Sequence, residues 1–171
     1  MNGVTMPSLE IRAHLATDKT SGGKGNMETE LVHTIKKAAD FHGHLGPFLV
    51  MGVRMGLIGV RELGAKGNNG QLHVTTMTRD STPFSCVRDG IQVATKCTIG
   101  NKKLRLKYSS RIAAKFELPS GEQMYITVNP DVFNELKNKL LAENFPSEEV
   151  RKLAHLVAAI PEEELFIMKR E

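Results

Sequence analysis

The central segment of the chain reads FHGHLGPFLVMGVRMG (residues 41–56), and it predicts a helix that begins at Pro47. Proline suits a first helical turn because its missing N–H has no acceptor there, and Gly64 suits the exit. Between them, Gly52 and Gly56 form a G-x-x-x-G step. A glycine inside a helix costs roughly 1 kcal/mol, so we expect another backbone to pack closely against this helix.

The flanking sequence predicts helices before and after a group of strands. Apolar residues at helical spacing predict an amphipathic helix over residues 28–40, and Thr82 and Pro83 predict the N-cap and first position of another that ends near Thr95. Strands are expected at 71–78, 102–108, 112–118 and 123–128, helices at 131–143 and 147–159, and an edge strand within 162–170. Hairpin-linked strands between helices indicate an α+β fold with a mainly antiparallel sheet.

Length and composition indicate a single core domain in a soluble protein. The 171 residues are 40% hydrophobic and 25% charged, which is ordinary for one globular unit. The longest apolar stretch, residues 48–63, includes two arginines and falls short of the roughly 20 residues that span a bilayer. The N-terminus lacks the pattern of a secretory signal. We therefore expect a cytoplasmic protein with a flexible extension over residues 1–26, which ends in DKTSGGKGN, and a domain over 27–171.

Charge is unevenly distributed along the chain. The net charge is +4, and residues 102–115 contain six basic residues and no acidic one. In KKLRLKY (residues 102–108) charged and apolar residues alternate, which predicts a half-buried strand with a solvated face. No aromatic residues interleave on the charged face to stack bases, so nucleic acid is not an expected partner. An anionic small molecule or an acidic partner stays open.

Two histidines and a cysteine are the first candidates for chemistry. His42 and His44 flank Gly43, whose flexible backbone lets both imidazoles turn toward one point before a helix N-terminus. Cys86 lies in the predicted opening turn of its helix near Arg88, and both features favour a thiolate. The three side chains would form an N2S set for zinc with a fourth position open. The alternatives are a helix entrance that contains histidines and a small buried thiol.

Two further groups of residues follow Cys86. Asp89 shares its predicted helix face, where it could orient an imidazole, act as a general base, or pair with a surface lysine. After the helix, Cys97, Thr98 and Gly100 lie in a turn that either lines a cofactor pocket or only reverses the chain.

Two segments together resemble the FmdE family, the E subunits of formylmethanofuran dehydrogenase. The segment quoted above and CVRDGIQVATKCTIGNKKL (residues 86–104) are similar to that family's H-G-H-x-C-P-G and C-x-x-D-A-I-Q-x-x-T-G-C-T-x-G-K motifs, and the resemblance covers roughly residues 28–128. Matching positions are His42, Gly43, His44, Pro47, Gly52, Arg54, Cys86, Asp89, Ile91, Gln92, Thr95, Cys97, Thr98 and Gly100. The chain departs from the motifs at Gly46 for cysteine, Phe48 for glycine, Gly90 for alanine, Lys96 for glycine and Asn101 for lysine.

The resemblance implies an α+β core, a homodimer, and a metal-associated pocket where the two motifs meet. It also implies a link to one-carbon chemistry, methanogenesis and a larger enzyme complex. Because Gly46 removes a thiol, a metal would depend on His42, His44 and Cys86. The cysteine-rich zinc finger of some relatives is not expected, since no cysteine follows Cys97. Nothing here resembles the pterin-bearing subunits, so the dehydrogenase reaction is not transferred.

Three functional hypotheses follow from the sequence. The first is a zinc-binding accessory or ligand-binding protein that uses His42, His44 and Cys86. The second is a small enzyme in which metal-bound water or the Cys86 thiolate acts on an anionic substrate, with Asp89 as the base. The third is a structural subunit that docks through the glycine-lined helix. The sequence does not decide whether the protein has turnover.

Overall fold

The computed structural model describes residues 8–12, 25–65, 71–141 and 146–171. The helices are α1 (Gly25–His42), α2 (Pro47–Glu62), α3 (Val87–Thr95), α4 (Pro130–Leu140), α5 (Ser147–Ala159) and α6 (Glu162–Leu165), with a 3-10 turn at Phe84–Cys86. The strands are β1 (His73–Thr78), β2 (Leu104–Tyr108), β3 (Ala113–Glu117), β4 (Gln123–Val128) and β5 (Phe166–Arg170). The predicted α+β fold with a single core is confirmed.

The five strands form one sheet in the order β2-β1-β3-β4-β5. All neighbouring pairs are antiparallel except β1 and β2, which run parallel because α3 lies between them in the chain. Alternate residues of β3 and β4 are buried, so one face of the sheet packs against helices. A Cβ atom built on Gly59 of α2 would lie 2.4 Å from the Phe116 ring, which identifies α2 as the helix against this face.

The two edge strands differ in how well the sequence predicted them. The predicted edge strand near the C-terminus is present as β5, after the single helical turn of α6. The expectation that KKLRLKY forms a half-buried strand is wrong. Only Leu104 of β2 is buried, whereas Leu106 and Tyr108 are exposed, because this edge strand has one neighbour and is left open to solvent.

Helix α2 packs against α3 with backbone in contact with backbone, as the glycine spacing predicts. A Cβ atom on Gly52 would lie 2.0 Å from the carbonyl oxygen of Val87, and one on Gly90 would lie 2.2 Å from that of Leu49. Both distances are far below van der Waals contact. The two helices therefore reach this separation only because each carries glycine at the crossing.

A buried arginine ties α2 to the C-terminal end of α5. Arg54 Nη1 donates to the carbonyl oxygens of Val157 at 2.7 Å and Ile160 at 2.6 Å, and the guanidinium lies 5.8 Å from the centre of the Phe166 ring. Burial lowers the pKa of Arg54 to about 10. The arginine thus serves as a cap for carbonyl groups that the end of a helix leaves unpaired.

The predicted N-terminal extension falls mostly outside the described residues. Of residues 1–26, the structure describes 8–12, which include a helical turn, and 25–26, which begin α1. Leu9 is fully buried in the main core, and the predicted domain boundary at residue 27 stays a prediction. Among the described residues, no helix has the length and apolar character to cross a membrane.

Candidate functional site

The ends of three helices bring the two sequence motifs together. Helix α1 ends at His42, and Gly43, with φ of +93°, lets the chain leave the helix because a side chain would strain this backbone. Three residues later α2 begins, with Gly46 as its N-cap. The first turn of α3 supplies Asp89 opposite the end of α1.

His42 and Asp89 form a hydrogen-bonded pair. His42 Nδ1 lies 2.7 Å from Asp89 Oδ2, and Gln92 Nε2 donates to the other carboxylate oxygen at 3.1 Å. Because a carboxylate accepts, Nδ1 is the donor and Nε2 carries the free lone pair. The His42 side chain is 13% exposed, and Nε2 is buried with no hydrogen-bond partner. Asp89 thus orients an imidazole, as one sequence interpretation holds, rather than pairing with a surface lysine.

His44 stands beside this pair and lines a pocket. Its ring centre lies 4.5 Å from that of His42, with the ring planes inclined by 42°. The pocket has a volume of about 270 Å³. Its lining comprises His44, Gly46, Pro47, Phe48, Leu49, Thr82, Pro83, Cys86, Leu140 and Val150. Leu140 and Val150 come from α4 and α5, outside both motifs, and their apolar character in the sequence did not distinguish them from ordinary core residues.

Cys86 lines the same pocket, but its surroundings differ from the prediction. The predicted helix start at Pro83 is wrong, because residues 84–86 form a 3-10 turn and α3 begins at Val87 with Cys86 as its N-cap. Arg88 forms an ion pair with Asp80. Burial and the negative charge of Asp89 raise the pKa of the Cys86 thiol. The expectation that this position favours a thiolate is therefore wrong.

Within residues 8–12, 25–65, 71–141 and 146–171, no three His, Cys, Asp or Glu side chains form a ready-made metal cage. The metal set of His42, His44 and Cys86 stays a prediction, as do catalytic roles for Cys86 and Asp89.

The turn after α3 is held by its own side chains. Cys97 is buried and its Sγ donates to the carbonyl oxygen of Leu72 at 3.2 Å. Thr98 N donates to Asn101 Oδ1 at 2.9 Å, and Asn101 N donates back to Thr98 Oγ1 at 3.1 Å, while Gly100 is exposed. These contacts explain the residues as a chain reversal, and none of them lines the pocket. Cofactor binding by Cys97, Thr98 and Gly100 stays a prediction.

Gly46 leaves space at the histidine end of the pocket. Its backbone, with φ of −139° and ψ of 158°, is extended and accepts any residue. A Cβ atom there would lie 3.6 Å from His44 Nε2 and 3.9 Å from a methyl group of Val150, which are ordinary contacts. The backbone therefore does not require glycine at this position, and a larger side chain would enter the pocket.

The family profile described as FmdE, Molybdenum formylmethanofuran dehydrogenase operon, matches residues 41–167. This range contains both motifs and every residue that lines the pocket. The chain belongs to the FmdE family, as the resemblance of its motifs predicts.

Two individual proteins are similar to this chain. A probable S-adenosyl-L-methionine-binding protein from Archaeoglobus fulgidus is 30% identical over 109 residues, which are 57% of this chain and 29% of that protein. The chain thus matches less than a third of that relative's length. An FmdE-like protein of tungsten formylmethanofuran dehydrogenase from Syntrophus aciditrophicus has a crystal structure that matches with a TM-score of 0.53 and 19% identity, over 82% of this chain and 71% of that one. At this identity the match supports the fold alone.

Proposed function

We propose that this FmdE-family protein is a zinc-binding accessory or ligand-binding protein of one-carbon metabolism, with the metal held through His42. The observation that carries the proposal is the His42–Asp89 pair. Histidines that bind metals donate their other ring N–H to a carboxylate or carbonyl group, which fixes the tautomer and the ring orientation. His42 has this arrangement at Nδ1, and its Nε2 is buried without a partner. The lone pair of Nε2 is therefore available to a metal.

His44 and Cys86 are the proposed further ligands. Two imidazoles on one zinc have ring centres about 5 Å apart, since each Zn–N bond is about 2 Å long, and the rings of His42 and His44 are 4.5 Å apart. Cys86 lines the pocket that His44 also lines. Imidazole and thiolate donors suit zinc better than calcium or magnesium. Zinc at this position would supply a Lewis acid beside the pocket.

Metal analysis by mass spectrometry and zinc titration against a chromophoric chelator test this proposal. We expect about one zinc per chain in tag-free protein prepared without chelator, and loss of that zinc in His42→Ala. Asp89→Asn should weaken zinc binding about 10- to 100-fold, because the neutral amide supports the ring less well. His33→Ala, at an exposed position on α1, is the matched control. Equal zinc affinity in wild type and His42→Ala would overturn the proposal.

A small metal-dependent enzyme that acts on an anionic substrate is the second candidate, and the same His42–Asp89 pair favours it. An imidazole oriented by a carboxylate serves as a general base as well as a ligand. The thiolate version has less support, since burial and Asp89 raise the pKa of Cys86. Turnover of 4-nitrophenyl phosphate that falls together in His42→Ala and Asp89→Asn would select the enzyme, and absence of turnover in zinc-loaded protein would select the binding protein.

The name of the Archaeoglobus fulgidus relative offers S-adenosyl-L-methionine as a ligand to consider. A dry cavity of about 150 Å³ holds benzene, so a pocket of about 270 Å³ has room for about eleven non-hydrogen atoms. S-adenosyl-L-methionine is more than twice that size, and this pocket alone does not enclose it. We therefore expect no saturable heat in a calorimetric titration with S-adenosyl-L-methionine. Tight binding that Gly46→Leu removes would reverse this conclusion.

Homodimerisation, docking onto a larger complex and a cytoplasmic location remain proposals from the family resemblance. Light scattering coupled to size-exclusion chromatography tests the first of them.

A further inference from the structure

The walls of the pocket between α2 and α3 are mostly apolar. Six of the lining residues present only carbon side chains, namely Pro47, Phe48, Leu49, Pro83, Leu140 and Val150. The polar lining side chains are those of His44, Thr82 and Cys86. Among the described residues that line the pocket there is no carboxylate, lysine or arginine. Such a surface fits a ligand with an apolar body and one polar group.

The pocket is preformed on its Phe48 side. The ring of Phe48 packs edge-on against Phe84 with ring centres 5.3 Å apart, and Phe84 lies 5.6 Å from Phe133. Phe48 is 1% exposed, so this aromatic cluster holds one wall in place. A wall that does not need to rearrange reduces the entropy that a small ligand must overcome on binding.

The polar end of the pocket favours an anion over a cation. His44 and the first residues of α2 lie there, and the first turn of that helix contains no acidic residue. The N-cap Gly46 has no side chain that could accept from the free N–H groups of this turn. The nearby carboxylate of Asp89 is occupied by His42 and Gln92. An ammonium group would therefore meet no counter-charge in the lining, whereas a carboxylate would meet imidazole and N–H donors.

We propose that this pocket binds a small carboxylic acid with an apolar body of about ten non-hydrogen atoms in total. The carboxylate lies at His44, the body lies against Leu140 and Val150, and Gly46 is the specificity-determining residue that leaves room for it. This inference deepens the proposed function by naming the ligand class. It rests on that function only insofar as zinc at His42 and His44 would add a second partner for the carboxylate.

Fluorine NMR with 4-fluorobenzoate as the probe tests the inference, in chelator-treated and in zinc-loaded protein. We expect saturable binding in both forms, at least about tenfold weaker binding of 4-fluorobenzylamine, and at least about tenfold weaker binding of 4-fluorobenzoate to Gly46→Leu. Gly46→Ala should have a smaller effect. Ala113→Leu, which enlarges a side chain on the opposite face of the sheet, is the matched control.

The outcomes separate this inference from the zinc proposal. Binding of 4-fluorobenzoate that Gly46→Leu leaves unchanged, or an amine that binds as tightly as the acid, would overturn the inference. Absence of binding in both forms would overturn it as well. Binding that requires zinc and ignores Gly46→Leu would support the metal and overturn the pocket assignment. Binding without zinc that Gly46→Leu abolishes would support the inference even if His42→Ala and wild type bound zinc equally.

Discussion

One hydrogen bond determines which atom of His42 is free for chemistry. Because the Asp89 carboxylate accepts from Nδ1, the ring presents Nε2 as its only lone pair. Gln92 holds the second carboxylate oxygen, so Asp89 is itself fixed in orientation. A turn of the imidazole by half a rotation would break this bond. The preference of the site for an electrophile, such as a metal or a proton, therefore begins with Asp89.

The thiols provide a prediction at the same scale. Burial raises the pKa of both Cys86 and Cys97, with Asp89 adding to the effect at Cys86. The thiolate fraction near pH 7 is then below that of a free cysteine, whose pKa is about 8.5. We expect iodoacetamide to modify chelator-treated native protein more slowly than it modifies glutathione at pH 7, and faster as pH rises.

Mass spectrometry of Cys97→Ser, which retains Cys86, isolates the pocket thiol. Denatured wild-type protein should take up two labels per chain, because the sequence has two cysteines. Modification of native Cys86 at pH 7 as fast as glutathione would contradict the prediction.

Single residues also mark how far the sequence predicted the site. It indicated His42, His44, Cys86 and Asp89 as chemistry-bearing side chains, and the structure brings His42 to Asp89 and places His44 and Cys86 on one pocket. It missed the high pKa of Cys86, because burial and the direction of Arg88 depend on tertiary packing. Leu140 and Val150 carry no local signal that separates a pocket wall from a core.

At the scale of elements, the crossing of α2 and α3 supports the site. The two helices make backbone contact at Gly52 and Gly90, and this contact sets the position of Asp89 relative to the end of α1. The closeness of the crossing therefore serves the His42–Asp89 pair as well as the core.

Gly52→Ala should strongly destabilise the protein. Alanine favours an isolated helix by about 1 kcal/mol, but its Cβ would lie 2.0 Å from the carbonyl oxygen of Val87, which is backbone and cannot turn aside. We expect a net loss of about 3 kcal/mol or more in the free energy of unfolding, measured by urea denaturation. The control is Gly100→Ala, where the nearest atom is 3.8 Å away and the change should stay within about 0.5 kcal/mol. A Gly52→Ala variant as stable as wild type would show that the helices separate at no cost.

Elements with a strong local pattern were the ones that the sequence predicted well. Pro47 marked the start of α2, and the predicted bounds of β4 and α5 match the structure. The start of α3 was wrong because residues 84–86 adopt a 3-10 turn that the pattern does not distinguish from the first turn of an α-helix. The exposure of β2 was missed because alternation cannot tell an edge strand from one that helices cover.

At the scale of the whole molecule, α2 is tied to the C-terminal part of the chain by ion pairs as well as by packing. Arg61 donates to both carboxylate oxygens of Glu162, from Nη1 at 3.0 Å and from Nη2 at 2.8 Å. Burial opposes ionisation of this carboxyl group, but the hydrogen bonds from Arg61 outweigh it and lower the pKa of Glu162.

The stability contributed by this pair should depend on pH. Since the folded-state pKa of Glu162 lies below its unfolded value of about 4.3, the contribution is fully present above that value and is lost as pH falls through the folded pKa. We expect Glu162→Gln to cost about 0.5 kcal/mol near neutral pH, because the pair is one-third exposed. The cost should vanish at pH values below the folded pKa.

Urea denaturation of wild type, Glu162→Gln and Glu163→Gln across this range provides the measurement. Glu163 is the adjacent, exposed carboxylate and serves as the control. A cost of Glu162→Gln that grows as the pH falls would contradict the assignment.

The cap that Arg54 provides also bears on synthesis at the ribosome. Its acceptors, the carbonyl groups of Val157 and Ile160, lie 103 and 106 residues further along the chain. Translation at about 5–20 residues per second separates the arginine from these acceptors by about 5–20 s. During that interval the guanidinium must stay hydrated, so the nascent chain cannot bury this part of α2 in its final position. The close-packed helix at the centre of the fold therefore reaches its native environment only after α5 has left the exit tunnel.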